Sequence, residues 1–394
     1  MDRLVVTKLG YIGVAPHRYI DVLANKRIEK FRIFFFENEK NSIIKLINEI
    51  KKYFPQYMEK LEVMEFPWYK ILNYKLKLKT DIINLIPNSL KYFIKNILVM
   101  TDILWIGDND FDGSFSLYDM LYNIFDFKLE YVVTVKETRY TNSNQSEFML
   151  LKNASKLILP HNEYINFFKD KYNIDFTQKA YYADIDFRSK KVQKIIDSYN
   201  VQKLSELDGK PHVVILAGRA VWDKNETRSF GRYYYVDIIE NLIRNGFIVH
   251  LHTNNIIKSS DEPISYLQDK NNPYFKILIS NPGSFFIEPP LDLSIIENYV
   301  YLKKYDFGVL HSGVIEDNLF EKFESINIPN RYYEYLSAGV KPICPKGTLK
   351  YLENHDDKVL FFDYLDEVKE YFIKKQREII TPYSYFSDLV DLIL

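Results

Sequence analysis

The chain has 394 residues, of which 47% are hydrophobic and 27% are charged, so it is long enough to form two globular domains. Its 52 lysines and arginines almost balance its 53 aspartates and glutamates, which argues against a nucleic-acid partner. The single cysteine, Cys344, excludes an intramolecular disulfide and a zinc ribbon, and its apolar neighbours predict a buried strand position.

Short β-rich runs alternate with amphipathic, helix-length segments, a pattern that predicts parallel α/β sheets. In the first half, strands are predicted at 3–9, 31–36, 102–107, 130–135, 156–160 and 179–183. Helices are predicted between them at 41–54, 116–125, 146–154 and 162–172. After a polar stretch at 189–210, the pattern restarts with strands at 211–218, 247–253, 274–280, 306–312 and 341–344 and helices at 233–246 and 292–305.

The segment 68–96 is rich in lysine, with leucine, isoleucine, tyrosine and phenylalanine interleaved. One interpretation is a solvated helix face whose lysine stems cover apolar neighbours. The other is a basic amphipathic surface for an anionic membrane or an anionic acceptor. No window of about twenty residues is free of charge, and the N-terminus lacks a signal-peptide pattern. We therefore expect a cytoplasmic protein, with peripheral contact at the inner membrane face as its possible membrane association.

The end of the strand at 306–312 and the residues that follow it predict an anion site. In a parallel sheet the ligand crevice lies beyond the carboxyl ends of the strands, which places His311 and Ser312 at its rim. A long loop without predicted structure leads to a short helix that begins at Asn330 or Arg331. Its first amides and the arginine attract an anion, and Glu334, one turn further on, suits paired hydroxyls. The plainer alternative is an ordinary crossover helix with a surface glutamate.

The strand at 211–218 ends at a second group of polar residues. Gly218 is followed by Arg219 and, five residues later, by Lys224. Two cations on the loop after the first strand of a sheet are well placed to neutralise a diphosphate. Together with the helix at Asn330, they predict a nucleotide-sugar site in the second half.

Several segments resemble those of GT-B glycosyltransferases of the glycogen-synthase-like group. "IPNRYYEYLSAGVKPI" is similar to the donor-site segment of that family, and "AGRAVWDK" resembles its Gly-Arg…Lys loop. The stretch 130–187 is similar to the family's strand–helix–strand segment in the first domain, and "SYFSDLVDLIL" resembles its closing helix. The likeness runs, with gaps, from about residue 100 to the end.

The resemblance implies an α/β protein with two Rossmann-like domains facing a cleft and a C-terminal helix that crosses back to the first domain. The implied limits are 1–190 for the acceptor domain, 191–210 for a linker, 211–375 for the donor domain and 376–394 for the closing helix. A hexosyl group would move from a UDP- or GDP-sugar to a hydroxyl of a glycan, lipid-linked glycan or glycoprotein, without a metal ion or cofactor. The donor would contact Gly218, Arg219, Lys224, His311, Ser312, Asn330, Arg331 and Glu334.

The sequence also departs from the family pattern. Retaining members often carry a second glutamate eight positions before the one that matches Glu334, but Ile326 stands there, and the nearest carboxylate is Glu324. In the first domain, Glu137 replaces the aspartate of the family's His-Asp pair. The choice between a retaining and an inverting mechanism therefore stays open.

The catalytic candidates lie in the first half. Gly10 and Gly13 follow the first predicted strand and resemble the family's acceptor loop, after which His17 could accept a proton from the acceptor hydroxyl. Asp108 and Asp110 follow another strand and are alternative bases. The plainer interpretations are a packing histidine and ordinary turn residues.

Other classes of protein stay open as alternatives. The spacing of Asp108 and Asp110 also matches the metal-binding Asp-x-Asp of GT-A transferases, although Asp184 and Asp186 match it equally well. A sugar-nucleotide epimerase of GT-B fold is a second enzymatic alternative. A catalytically silent subunit that binds sugar nucleotides or glycans is the alternative outside enzymology.

Overall fold

The structure, a computed structural model, describes residues 3–8, 19–35, 40–65, 103–107, 131–134, 145–183, 189–224, 233–259, 262–265, 269–313, 318–374 and 391–393. The chain forms two compact units, one made of Met1–Gln193 with Ser384–Leu394 and the other of Lys194–Tyr383. The boundary lies inside the helix Lys190–Ser198. In the described part of the chain, no helix is both long and apolar enough to cross a membrane. The segment 68–96 lies outside it.

The first unit is built around a seven-stranded parallel sheet. Its strands are β1 (Arg3–Lys8), β2 (Ile28–Phe35), β3 (Leu61–Glu65), β4 (Ile103–Gly107), β5 (Tyr131–Thr134), β6 (Lys156–Leu159) and β7 (Ala180–Tyr182). The order across the sheet is β3-β2-β1-β4-β5-β6-β7. The described helices are α1 (Tyr19–Ala24), α2 (Lys40–Tyr53), α3 (Gln145–Asn153), α4 (Glu163–Tyr172) and α5 (Lys190–Ser198), which runs into the second unit. The first strand lies between the second and the fourth, as in doubly wound sheets.

Helical spacing of apolar residues explains why α2 packs in the first unit. Ile43, Leu46 and Ile50 are spaced by three and four residues and are buried. Lys51 and Lys52 follow in the last turn, where their positive charges interact favourably with the negative end of the helix dipole.

The last described residues of the chain lie on the first unit. The Lys156 ammonium donates a hydrogen bond to the Leu392 carbonyl at 3.1 Å, and Arg27 pairs with Asp391 at 3.0 Å. Ile393 is buried. Residues 376–390 of the predicted closing helix lie outside the described residues.

The second unit contains a six-stranded parallel sheet and a small three-stranded sheet. The large sheet has the order β13-β10-β8-β14-β15-β16 and the small one β12-β11-β9. The strands are β8 (His212–Ala217), β9 (Ala220–Val221), β10 (Ile248–Thr253), β11 (Ile256–Ser259), β12 (Glu262–Ser265), β13 (Phe285–Glu288), β14 (Phe307–Val309), β15 (Lys341–Pro345) and β16 (Leu360–Phe362). The described helices are α6 (Ser205–Asp208), α7 (Val236–Arg244), α8 (Pro273–Ser280), α9 (Ile296–Leu302), α10 (Asn318–Ile326), α11 (Asn330–Ser337), α12 (Lys350–His355) and α13 (Leu365–Lys374).

The large sheet repeats the doubly wound order of the first unit. Counting only its own strands, the order is third, second, first, fourth, fifth, sixth, so β8 lies between β10 and β14. All six residues of β10 are buried, as expected for a parallel strand covered on both faces. Cys344 in β15 is fully buried as predicted, and burial raises the pKa of its thiol to about 12.

The segments 274–280 and 318–326 of the second unit differ from the sequence prediction. The predicted strand 274–280 is helix α8, because the Asn272 side chain accepts a hydrogen bond from the Tyr274 amide at 3.0 Å and Pro273 occupies the first helical position. These capping features outweigh the β-rich composition. The long loop expected before Asn330 contains α10, so that part of the prediction was wrong.

One tyrosine of α11 lies between β8 and β14. The Tyr335 hydroxyl accepts a hydrogen bond from the Leu216 amide of β8 at 3.1 Å and lies 3.3 Å from the Val309 carbonyl of β14. Its side chain is fully buried, and burial raises the pKa of the phenol, so the hydroxyl keeps its proton. Tyr335 therefore ties α11 to the carboxyl ends of two neighbouring strands.

Gly308 of β14 provides the space for this ring. A Cβ atom added at Gly308 would lie 2.5 Å from Cδ2 of Tyr335, closer than real Cβ atoms approach other atoms. The glycine is needed for this close approach, and any side chain there would displace the ring or the strand.

Buried histidines connect three strands of the second unit. His212 Nδ1 of β8 lies 2.9 Å from His250 Nε2 of β10. The outer nitrogens face carboxylates: His212 Nε2 is 3.1 Å from Asp208 Oδ2, and His250 Nδ1 is 3.4 Å from Glu288 Oε1 of β13. Burial lowers the pKa of His250 to about 4, so this side chain is neutral at physiological pH.

We expect Gly308→Ala to lower the free energy of unfolding by about 2–3 kcal/mol, because the added methyl overpacks the buried ring. Chemical denaturation measures the change. Gly218→Ala is the matched control, since a Cβ there would meet nothing within 4 Å. Adding Tyr335→Leu to Gly308→Ala should cost less than the sum of the two single changes. Simple additivity would contradict the proposed contact.

We expect His250 to make stability depend on pH. Unfolded histidine has a pKa of about 6.5, so between pH 6.5 and 4 the unfolded chain binds more protons than the folded one. The stabilisation is complete above pH 6.5 and is lost as the pH falls towards 4. Between pH 7 and 4.5, the free energy of unfolding should fall by about 2 kcal/mol more in the unmodified protein than in His250→Gln.

Urea denaturation at a series of pH values measures this loss. His355→Gln, which changes an exposed histidine, is the control and should follow the unmodified protein. A His250→Gln variant with the same pH profile as the unmodified protein would contradict the prediction.

Candidate functional site

The candidate site lies at the carboxyl edge of the large sheet in the second unit. From β8 the chain continues to β10 on one side, and from β14 it continues to β15 on the other side, so the strand order reverses between β8 and β14. Such a topological switch point is where ligands of doubly wound folds bind. The loops after these strands carry Gly218, Arg219, Lys224, His311 and Ser312. Helix α11 precedes β15, which is parallel to β14, so its N-terminus starts at the same edge. It carries Asn330, Arg331 and Glu334.

Two of the predicted cations are held by tyrosines of the segment 233–237, which we call the tyrosine segment. The Arg219 guanidinium lies 4.6 Å from the centre of the Tyr233 ring. Arg331 donates a hydrogen bond from Nη1 to the Tyr235 hydroxyl at 2.8 Å. The same segment therefore orients one cation from the loop after β8 and one from α11.

The third predicted cation forms an ion pair with the same segment. Lys224 Nζ lies 2.9 Å from Oδ2 of Asp237 and 5.8 Å from the centre of the Tyr234 ring. About half of each charged side chain is exposed, 52% for the lysine and 53% for the aspartate. Exposed pairs contribute at most about 1 kcal/mol, so an anionic ligand can replace the aspartate at small cost.

The loop after β8 is held in place by hydrogen bonds of its main chain. At 2.9–3.1 Å, the amides of Ala220, Val221, Trp222 and Asp223 donate to the carbonyls of Asn255, Tyr233, Ile257 and Lys258. The fully buried Tyr274 hydroxyl donates to the Val221 carbonyl at 3.0 Å and accepts from the Tyr235 amide at 2.9 Å. This framework fixes the loop and the tyrosine segment together.

Helix α11 offers donors and acceptors at its start. Pro329 precedes the helix, and the positive end of the helix dipole lies at the carboxyl edge of the sheet, where α11 begins. The Tyr332 amide of the first turn donates to the Pro329 carbonyl at 2.9 Å. The Asn330 Oδ1 atom is buried and has no hydrogen-bond partner among the residues that the structure describes. Glu334, one turn later, is 6% exposed, and the helix ends before Gly339, whose φ of 65° favours glycine.

The residues after β14 form a tight turn whose histidine points into the protein. His311 Nδ1 accepts a hydrogen bond from the Gly313 amide at 3.0 Å. Its Nε2 faces Glu324 of α10, with 3.7 Å between Nε2 and Oε2. Both described contacts of the imidazole nitrogens are with the protein, whereas Ser312 and Gly313 form the loop that borders the edge.

The first sheet has a corresponding switch point, since β1 pairs with β4 and Lys8 lies opposite Ile106. Gly10, Gly13 and His17 follow β1 in the sequence, and Asp108 and Asp110 follow β4. These five residues lie outside the described residues, so the acceptor-loop role of the two glycines and the catalytic roles of the other three stay predictions. Among the residues that the structure describes, no group of three or more histidine, cysteine or acidic side chains could hold a metal ion.

Sequence reasoning missed the residues that support the predicted cations. The helix predicted at 233–246 begins three residues later, at Val236, so Tyr233 and Tyr235 belong to the loop before it. Three consecutive tyrosines before an acidic first turn are the signal that could have identified a cation-binding segment. Glu324 had no assigned partner, because the contact with His311 joins residues thirteen positions apart.

No family model matches the sequence, and no curated protein sequence matches it at a significant level. Solved structures resemble it over nearly the whole chain. Alr3699/HepE of Anabaena in complex with UDP-glucose is 11% identical, with a TM-score of 0.53, 99% of this chain covered and 94% of that chain. An alpha-glucosyltransferase in complex with UDP-glucose and DNA containing an abasic site is 12% identical, with a TM-score of 0.51 and coverages of 99% and 93%.

A protein from Listeria monocytogenes described as a UDP-N-acetylglucosamine 2-epimerase is 10% identical, with a TM-score of 0.50 and coverages of 98% and 94%. At these identities the similarity establishes the fold alone. The predicted GT-B fold is confirmed, and a one-domain GT-A fold is wrong because each unit has its own doubly wound sheet. The chain has a GT-B glycosyltransferase-like fold.

Proposed function

We propose that this protein is a hexosyltransferase that moves a sugar from a nucleotide diphosphate donor to a hydroxyl of a glycan, lipid-linked glycan or glycoprotein. The observation that carries the proposal is the placement of Arg219, Lys224 and Arg331 around one tyrosine segment at a switch-point edge. Three oriented cations beside a helix N-terminus suit a diphosphate. The UDP-glucose complexes of two structural neighbours favour a uridine nucleotide, and GDP is the alternative.

The residues of the edge would share the work of binding and leaving-group stabilisation. The three cations and the first amides of α11 would neutralise the diphosphate as its bond to the sugar breaks. The Glu334 carboxylate, one turn further on, would accept hydrogen bonds from the ribose hydroxyls. His17, Asp108 and Asp110 are the proposed sources of a base in the acceptor unit, with Gly10 and Gly13 forming its loop.

Sugar transfer by this chemistry needs no bound metal ion or cofactor, because the cations already supply the positive charge. We therefore expect activity to persist in the presence of a chelator. The lysine-rich segment 68–96 would add peripheral contact with an anionic membrane face on the cytoplasmic side, where lipid-linked acceptors lie. Binding to vesicles with and without anionic lipid tests this contact.

A sugar-nucleotide epimerase is the second candidate, favoured by the similarity to the Listeria monocytogenes protein. A silent subunit that binds sugar nucleotides or glycans is the remaining alternative. Titration with a panel of UDP- and GDP-sugars, followed by product analysis with and without acceptor, separates the three. Epimerised donor in the absence of acceptor would refute the transferase, and binding without any product would favour the silent subunit.

We expect Glu334→Gln to weaken UDP binding about tenfold or more, because hydrogen bonds to a charged group contribute about 1.5–3 kcal/mol. Isothermal titration calorimetry measures the change. Glu370→Gln, which alters an exposed pair with Lys374 on α13, is the control and should bind UDP normally. Unchanged affinity in Glu334→Gln would remove the glutamate from the proposed donor site.

Substitutions of Lys224 and Asp237 should change the affinity for UDP in opposite directions. Lys224→Ala should weaken UDP binding about tenfold, whereas Asp237→Asn should strengthen it about threefold, because the aspartate no longer competes with the diphosphate for the ammonium. Both variants should keep nearly the stability of the unmodified protein, since the pair is exposed. Weakened binding in both variants would indicate that the pair is structural and not displaced by ligand.

A further inference from the structure

A buried histidine in the turn after β14 faces a buried glutamate of α10, and the proposed chemistry uses neither directly. The His311 and Glu324 side chains are 3% and 1% exposed, and 3.7 Å separates Nε2 from Oε2. The histidine is the second residue after β14, at the switch point, and the glutamate lies in the last turn of α10. A carboxylate so deeply buried is costly unless polar partners compensate its charge.

The hydrogen bonds assign the tautomer of His311. Because the Gly313 amide donates to Nδ1 at 3.0 Å, Nδ1 must present a lone pair. The ring proton of the neutral imidazole is therefore on Nε2, the nitrogen that faces Glu324. The carboxylate favours this tautomer, as a hydrogen-bonded or charged partner of one ring nitrogen commonly does in histidine sites.

The Gly313 amide belongs to a backbone conformation that needs support. Gly313 has a φ of 89°, in the left-handed region, and is exposed at the edge of the sheet. Its amide is fixed by the histidine, and a Cβ atom there would lie 3.4 Å from the Pro345 ring. The pair of buried side chains thus holds an exposed turn beside the loop that carries Arg219.

We propose that His311 and Glu324 are positioning residues: the Glu324 carboxylate holds the imidazole as the Nε2–H tautomer, whose Nδ1 fixes the Ser312–Gly313 turn against which the donor diphosphate lies. This inference rests on the proposed function, since it assigns the turn to the same nucleotide site. It also gives Glu324 a role different from that of a displaced catalytic glutamate, because its carboxylate faces His311 and accepts a hydrogen bond from Asn327 Nδ2 at 3.4 Å.

Two substitutions of His311 separate its two contacts. The side-chain oxygen of asparagine lies near the place of Nδ1, so His311→Asn keeps an acceptor for the Gly313 amide and loses the donor towards Glu324. Glutamine reaches the place of Nε2, so His311→Gln keeps the donor and loses the acceptor. We expect His311→Asn to bind UDP within threefold of the unmodified protein but to melt at a lower temperature, and His311→Gln to bind UDP about tenfold more weakly.

Two substitutions of Glu324, one conservative and one apolar, test its contact with His311. Glu324→Gln retains a polar oxygen that faces Nε2–H, so UDP affinity should stay within threefold. Glu324→Leu removes every acceptor and should weaken UDP binding about tenfold, although His311 and the turn are unchanged in sequence. Equal UDP affinity in the leucine and glutamine variants would overturn the proposal.

A readout without nucleotide keeps this inference separate from the proposed function. In the full-length protein with ¹⁵N-labelled histidine, long-range ¹H–¹⁵N spectra report which ring nitrogen carries the proton, and the His311 signals are those missing from His311→Gln. We expect the Nε2–H form; an Nδ1–H form would overturn the inference even if UDP binds. If the Nε2–H form is found and the unmodified protein binds none of the nucleotides, the assignment of the turn to a diphosphate fails together with the proposed function.

Discussion

The hydrogen bonds of the Tyr335 hydroxyl with the main chain of β8 and β14 hold the proposed site together. They join three elements at one point: the first strand of the sheet, the strand across the switch point, and the helix whose N-terminus borders the edge. The bare backbone of Gly308 lets the ring approach. If the ring moved, Arg331 and Glu334 would move with it, because they share the same two helical turns.

The site therefore combines a rigid frame with one exchangeable contact. The frame consists of four buried side chains, those of Tyr274, His311, Glu324 and Tyr335. The exchangeable contact is the exposed ion pair between Lys224 and Asp237. Such a division suits a ligand with two negative phosphates, because the geometry is set before binding and only a weak internal pair is replaced.

The sequence was sufficient to predict the two α/β units and the segments that border the carboxyl edge of the large sheet. Strand composition and the end of each apolar run mark β8 and β14, and the positions after them follow from the rule for parallel sheets. The strand predicted at 274–280 was wrong because composition was weighed above the capping pair Asn272 and Pro273. Helix α10 was missed because its apolar positions were read as part of a loop.

The supporting contacts could not be predicted, for a different reason. The contact of Tyr335 with β8 spans 119 residues, and the bond from Arg331 to Tyr235 spans 96, so no local pattern encodes either. Roles for Gly10, Gly13, His17, Asp108 and Asp110, and the domain limits 1–190, 191–210, 211–375 and 376–394, stay predictions. The donor contacts also stay proposals, and His311 is proposed to act on them through the Gly313 amide.

The hydrogen-bonded ladder after β8 has a consequence for how relatives of this chain can diverge. Surface loops usually vary by insertion and deletion, because few of their main-chain groups are engaged. Here four consecutive amides, from Ala220 to Asp223, each donate a hydrogen bond to a carbonyl of a neighbouring segment. A single inserted residue would break these hydrogen bonds and would shift Lys224 relative to Arg219. Within such a lineage, preference for a different donor would arise by exchange of side chains, while the length of this loop stayed constant.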